Sequence, residues 1–301
     1  MRIIRDLRDL VAAQTQGCVL VPTMGALHEG HLALIRYAAQ SVQRMPVVVS
    51  IFVNPTQFGP GEDFTRYPRT LDADVKAATS AGADLIFAPD VEVMYPPGLE
   101  MPVPPLPAVA TQPQLEDAFR PTHFAGVCQV LARLFDLIKP SLAIFGEKDF
   151  QQLRVIQEMI RQEGDRWPGV RIIPHPTVRE PDGLAMSSRN AYLKPQERDR
   201  ALGLSRALTA VQEKWSDPFP PNEVAPPVVA GGRLAEPFEK LMRDILLEHE
   251  LSIDYALVRD AETLMPIWTF DRPARALIAA RLGAVRLIDN AGLEHHPRRA
   301  A

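Results

Sequence analysis

Apolar residues recur along this chain in two rhythms. Short unbroken runs of β-branched and aliphatic residues fall at 18–22, 47–53, 84–88, 142–145 and 170–173. Runs of that length, bounded by turn residues, read as strands buried on both faces of a parallel sheet. Between them lie stretches at 32–43, 70–81, 124–139 and 150–163 whose apolar positions repeat every three to four residues, the period of an amphipathic helix. Val127, Val130, Leu131, Leu134, Phe135 and Ile138 carry that repeat in the strongest of them. Strand and helix alternating over 18–173 predict an α/β fold with a doubly wound parallel sheet. A short surface helix is expected at 6–14, and the prolines of 96–113 predict an extended connection.

Past Pro174-His-Pro176 the pattern changes. A polar loop runs from 178 to 190, followed by helical stretches at 195–215 and 236–250 and by strand-like runs at 254–258, 275–280 and 284–288. The expected organisation is a larger domain over 1–175, a smaller α/β domain over 176–290, and a frayed tail over 291–301. The segment 216–232 is rich in proline and ends in two glycines, the composition of a loop or flexible insert.

Composition narrows the class without deciding it. The chain has 301 residues, 46% hydrophobic and 23% charged, with a net charge of -4. That is ordinary globular composition, with no basic excess to track nucleic-acid phosphate. The N-terminal Met-Arg-Ile-Ile-Arg-Asp-Leu has no apolar core of signal length, and no apolar run approaches the roughly 18 residues of a membrane span. Cys18 and Cys128 both sit in apolar runs and read as buried thiols of a reducing compartment. The expectation is a cytoplasmic protein with no nucleic-acid and no membrane partner.

Four polar segments each follow a predicted strand or lie just past the domain boundary: His28–His31, Asn54–Gln57, Gly146–Gln152 and Met186–Arg189. Strand carboxyl ends share one rim in a parallel sheet, so the first three are expected to meet in one crevice, and the fourth to cover it from the second domain. In His28-Glu-Gly-His31 a helix begins with two histidines at its mouth. Unpaired N–H groups and the positive dipole end favour phosphate there, and neutral imidazoles donate to an oxyanion. Each segment also has a plainer reading: a zinc pair for the histidines, a charged turn at 146–149, a helix cap at 186–189, and a braced turn for Asn54 and Gln57.

The pattern His-x-Gly-His resembles the signature of the nucleotidyl-transferase superfamily. Pro22-Thr-Met-Gly-Ala-Leu-His-Glu-Gly-His31, Ser50-Ile-Phe-Val-Asn-Pro-Thr-Gln-Phe58, Arg66-Tyr-Pro-Arg-Thr70, Arg120-Pro-Thr-His-Phe-Ala-Gly126, Phe145-Gly-Glu-Lys-Asp149 and Asp182-Gly-Leu-Ala-Met-Ser-Ser-Arg-Asn190 together resemble the pantothenate synthetase (pantoate–β-alanine ligase) family. The likeness runs in family order from about 20 to 193, and more weakly to about 290. It implies a Rossmann-like first domain and a smaller C-terminal lid domain in a cytoplasmic homodimer. The implied reaction is ATP-dependent condensation of (R)-pantoate with β-alanine through a pantoyl adenylate, releasing AMP and pyrophosphate.

By the same resemblance, the ATP site comprises Met24, Gly25, Ala26, Leu27, His28, Glu29, Gly30 and His31, with Gly146, Glu147, Lys148 and Asp149, and with Val178, Met186, Ser187, Ser188 and Arg189. His31, His28 and Lys148 would be catalytic, Gln57 would touch pantoate and β-alanine, and Gln152 pantoate. Mg²⁺ is expected mainly through the ATP phosphates. The family often has adjacent acidic residues after the Arg-Thr block, whereas here Ala73 separates Asp72 from Asp74. Asp74 is the one candidate protein ligand. Two other readings remain at this stage: a nucleotidyltransferase acting on a phosphate acceptor, and a nucleotide-binding regulatory module without turnover.

Overall fold

The computed structural model describes residues 2–41, 45–216, 235–268 and 272–294. The chain divides into two compact units, Met1–Val178 and Arg179–Ala301, so the break falls three residues past the expected one. The proline-rich stretch from 217 on, the last residues of the helix expected to reach Gln43, and the tail from 295 lie outside the described residues.

In the first unit six strands, β1 (Arg2–Ile4), β2 (Val19–Thr23), β3 (Val47–Ile51), β4 (Leu85–Phe87), β5 (Leu142–Gly146) and β6 (Arg171–His175), form one sheet in the order β1-β4-β3-β2-β5-β6. All its pairings are parallel. Around it run α1 (Leu7–Ala12), α2 (Glu29–Ser41), α3 (Leu71–Ala81), α4 (Val91–Met94), α5 (Glu116–Phe119), α6 (His123–Ile138) and α7 (Phe150–Gln162). Side chains alternate across a strand. Val19, Val21, Val47, Val49, Ile86 and Ile144 therefore share one face and bury against Leu34, Ile35 and Ala38 of α2 and Ala78 and Ala81 of α3. Leu20, Val48 and Phe87, in the alternate positions, are fully buried as well. A sheet covered on both faces explains why its central strands read as continuous apolar runs. Cys18 and Cys128 lie in this interior, and burial pushes both thiols up to about 12, so neither is a nucleophile at neutral pH.

Periodicity did not reveal β1, a three-residue edge strand beginning with an arginine. At the opposite edge β6 carries Pro174, tolerable where one side of the strand needs no ladder partner.

The second unit holds α8 (Pro195–Ala201), α9 (Gly203–Ser216) and α10 (Glu236–Glu248), followed by β7 (Ser252–Asp260), β8 (Ala274–Leu282) and β9 (Val285–Leu293). These strands form an antiparallel meander. Its β8–β9 turn passes through Gly283-Ala284, the two-residue loop that closes a hairpin. Leu204, Leu208 and Val211 of α9, Phe238, Met242 and Leu246 of α10, and Val258, Ile278 and Leu287 of the sheet make its core. The helix expected over 195–215 is two helices, because the chain bends at Leu202 and packs Gly203 against the His249 side chain. The third strand extends to Leu293, so the first residues of the expected tail are paired in a sheet.

Candidate active site

In the first unit the chain runs β2, β3, β4 to one side and then returns to place β5 on the other side of β2. The carboxyl ends of β2 and β5 thus flank the point where strand order reverses, the place in open α/β sheets where ligands bind. With β3 on the far side of β2, the segments following β3, β2 and β5 are neighbours on one rim. Three of the four sequence segments follow those strands.

The segment after β2 is a tight turn leading into α2. Thr23 Oγ1 donates to Ser50 O on β3 (2.8 Å) and accepts from Gly25 N (3.3 Å), which fixes where the strand ends. Gly25 has φ +81° and Ala26 φ +50°, two consecutive left-handed residues, a conformation glycine takes readily and alanine only under constraint. Both oxygens of Asp74, on α3, supply the constraint: Oδ2 accepts from Ala26 N (3.0 Å) and Oδ1 from Leu27 N (2.8 Å).

The two histidines then stand at the mouth of α2 with ring centroids 4.0 Å apart. His28 N donates to His31 Nδ1 (3.3 Å) and Gly30 N donates to His28 Nδ1 (3.2 Å). A ring nitrogen that accepts a hydrogen bond carries no proton, so in each neutral imidazole the proton belongs to Nε2. Each ring is a hydrogen-bond donor at Nε2. Burial first, then the charges of His28 and Lys148, lower His31 from 6.5 to about 3. All three influences act in the same direction. These histidines stand at the N-terminal mouth of α2. Among the described residues no group of three or more His, Cys, Asp or Glu is placed to hold a metal ion.

After β5 the chain makes a 3₁₀ turn, Glu147–Asp149, before α7. The Lys148 side chain is mostly buried, and its ammonium lies near His31. Of the adjacent glutamines that open α7, Gln151 is 3% exposed and fully engaged: it accepts from Glu116 N and donates to Val109 O and Asp117 Oδ1. Gln152 is half-buried and carries none of those tethers.

After β3, Asn54 is the hub. It is 1% exposed, donates to Gln57 Oε1 (3.2 Å) and Gly126 O (3.1 Å), and accepts from Thr56 N and from Tyr95 Oη (2.8 Å). It is therefore a brace, as the plainer reading allowed. The braced residue is Gln57, whose Nε2 contacts Met24 Sδ at 3.0 Å, so the loops after β2 and β3 touch. Behind Gln57, its carbonyl meets His123 Nδ1 at 3.0 Å. Arg120 holds Glu62 through two hydrogen bonds of 2.8 Å. Tyr95, Arg120, His123 and Asp74 received no supporting role from the sequence. Their partners lie between 41 and 66 residues away, beyond any local spacing rule.

In the second unit, Met186 to Arg189 stay partly exposed while their flanks are tied. Ser187 Oγ caps the Ser188–Tyr192 3₁₀ turn by accepting from Arg189 N. Asn190 donates to Glu180 and to Ala185 O, and Arg198 bridges Glu180 and Asp182. Arg179 makes a bidentate pair with Asp289 on β9. A short polar loop held at both ends and open in the middle suits ligand contact.

Burial, and to a lesser degree Arg120, also lowers His123, to about 4. Both histidines therefore take up protons more readily in the unfolded chain, at about 6.5, than in the fold. Stability is full above that value and is lost as pH falls toward 3–4. The expected slope is up to about 1.4 kcal/mol per pH unit for each histidine. Denaturant unfolding at about pH 5 and about pH 7 checks this; His31→Gln should flatten the slope, and an unaltered slope would place His31 in water.

A family model described as pantoate-beta-alanine ligase matches residues 1–292. A pantothenate synthetase of Rubrobacter xylanophilus is 49% identical, over 97% of this chain and 98% of its own length. One from Myxococcus xanthus is 46% identical, over 96% and 94%. Among solved structures, pantothenate synthetase from Thermus thermophilus superposes with a TM-score of 0.85 at 42% identity, covering 97% of this chain and 99% of its own. Pantoate-beta-alanine ligase from Francisella tularensis, complexed with Beta-gamma ATP and Beta-alanine, does so at 0.71 and 29%, covering 97% of each. With the signature histidines, Lys148 and Gln57 gathered on one rim of a doubly wound sheet and the likeness spanning nearly the whole length, the chain belongs to the pantoate–β-alanine ligase family.

Proposed function

We propose that this chain condenses (R)-pantoate with β-alanine in two half-reactions, adenylation of the pantoate carboxylate followed by attack of the amine on the mixed anhydride. As a member of its family it is an ATP-using ligase of pantothenate biosynthesis. The observation that carries the two-step reading is the state of the two histidines: both Nδ1 atoms accept from backbone N–H, which sets an Nε2–H donor on each ring at a helix N-terminus, with Lys148 near His31. Attack of a carboxylate on the α-phosphorus builds charge on non-bridging oxygens. Donors fixed before reaction stabilise that charge more than the ground state. Lys148 adds a cation to the phosphates.

In this reading Met24 to His31 and Gly146 to Asp149 hold the nucleotide, and Gln57 and Gln152 orient pantoate, with Gln57 also meeting β-alanine. A neutral amide positions a hydroxy acid without quenching its nucleophilic carboxylate. Val178 and Met186 to Arg189 are assigned to the nucleotide by family resemblance. Mg²⁺ enters with ATP as part of the substrate, its ligands phosphate oxygens and water; both oxygens of Asp74 are already engaged by loop amides. A cytoplasmic homodimer is the assembly the resemblance supports. No helix among the described residues is long and apolar enough to cross a membrane.

The test is exchange of labelled pyrophosphate into ATP. It should require pantoate and proceed without β-alanine. Turnover with all three substrates but no exchange would remove the adenylate half-reaction. Exchange with an acceptor phosphate instead of pantoate would favour a plain nucleotidyltransferase, and ATP binding without AMP release a regulatory module.

A further inference from the structure

Asp74 is 3% exposed, and a buried carboxylate persists only where its oxygens are satisfied. Here they are satisfied by the signature loop itself. Two consecutive amides, Ala26 N and Leu27 N, each donate to a different oxygen (3.0 and 2.8 Å). Thr70 Oγ1, one turn earlier at the start of α3, lies 3.2 Å from both. The grip falls where the backbone is least able to hold itself: Gly25 and Ala26 both have positive φ, and Ala26 carries a steric penalty there that glycine would not. A Cβ on Gly25 would sit 3.0 Å from Asp74 Oδ2, so carboxylate and turn are fitted to one another. The residue after Leu27 is His28, whose N–H sets the tautomer of His31.

We propose that Asp74 is a positioning residue for the reaction, a carboxylate on α3 that clamps the left-handed Gly25–Ala26 turn and so sets the placement and tautomers of His28 and His31, rather than a ligand to the metal. The proposal rests on the reading of those histidines as donors in adenylation. It separates Asp74 from Asp72, which is exposed on the same first turn of α3 and takes no part in the clamp. Asp74 acts through the loop and touches no substrate. Its loss therefore acts on kcat, since misplacing a reacting group by about 1 Å lowers rate by about 10²-fold.

The experiment is Asp74→Asn, which keeps the shape and one accepting oxygen but replaces the other acceptor by an NH₂ that faces an amide donor. Three readouts are taken on the full chain: hydrogen exchange of the peptide spanning 24–31 without ligand, kcat and KM for ATP, and the Mg²⁺ concentration for half-maximal rate. Expected are faster exchange confined to 24–31, a fall in kcat of about 10²-fold, and an unshifted Mg²⁺ requirement. A raised Mg²⁺ requirement with rate restored at high Mg²⁺ and unchanged exchange would overturn the proposal in favour of metal ligation. Unchanged exchange with unchanged kcat would overturn it outright. If Asp74→Asn does not fold, Thr70→Val decides: it removes one donor from the same carboxylate and should shift exchange and kcat in the same direction by less, and no change in either would sink the clamp. The exchange measurement needs no reaction, so it stands even if the pyrophosphate assay disproves the two-step chemistry.

Discussion

Replacing His31 with alanine should lower kcat by about 10²–10³, or roughly 2.7–4 kcal/mol in the barrier, with a much smaller change in KM for ATP. The asymmetry follows from the tautomer. His31 Nδ1 is occupied by the His28 N–H, and burial lowers the ring to about 3, so it is neutral at ordinary pH. What it offers is a fixed Nε2–H donor. A donor aimed at charge that appears only in the transition state leaves ground-state binding nearly alone. The same state predicts that kcat shows no acid limb near pH 6.5 from this residue, as a general base of ordinary pKa would give. His31→Gln, which keeps an N–H donor, should recover part of the rate. The variant is measured for kcat, KM and melting temperature together. Early melting with near-normal kcat would make His31 a structural cap and take the centre out of the mechanism.

Gly126→Ala should be the most damaging single-methyl change in the first unit. Gly126 lies in the first turn of α6 against the 3₁₀ turn Pro55–Gln57. A Cβ there would be 2.3 Å from Thr56 O, 2.4 Å from Thr56 C and 2.5 Å from Gln57 Cα. All three are backbone atoms, so no rotamer change relieves the clash; the helix or the turn must move. Two hydrogen bonds cross that contact, from Asn54 Nδ2 to Gly126 O and between His123 Nδ1 and Gln57 O. Overpacking of this kind costs about 1–3 kcal/mol. The displaced residue is Gln57, so KM for pantoate should rise roughly tenfold or more, the equivalent of about 1.4 kcal/mol or more. Gly164→Ala is the control: at that site the nearest atom to a new Cβ is 3.6 Å away, and melting and kinetics should stay near wild type. A Gly126→Ala protein with unaltered melting temperature and pantoate KM would refute the packing argument and with it the role of this contact in seating Gln57.

Much of this molecule follows from local pattern. Val47-Val-Val-Ser-Ile51 is buried on both faces of the sheet because it lies between two other strands with helices over them, and an unbroken apolar run is what that environment demands. The His-x-Gly-His turn, the Gly-Glu-Lys-Asp turn and the Asn54–Gln57 segment were legible for a related reason: polar residues placed directly after such strands must emerge at the carboxyl rim. Periodicity is blind to which strand lies beside which, so only the tertiary structure put β2 between β3 and β5 and made three separated segments one site. It also decided that the second unit's sheet is antiparallel, which short strand signals leave open. The same limit governs the site's supports. From its position Asp74 was no more than a possible metal ligand, and in the fold both of its oxygens accept from amides 47 and 48 residues away. Gln151 and Gln152 are indistinguishable as letters, yet one is fully engaged in tying 109–117 to α7 and the other is not. Residue type and spacing therefore determined which polar groups emerge at the carboxyl rim. Long-range hydrogen bonds, which no local spacing encodes, decided which neighbouring groups hold them in place.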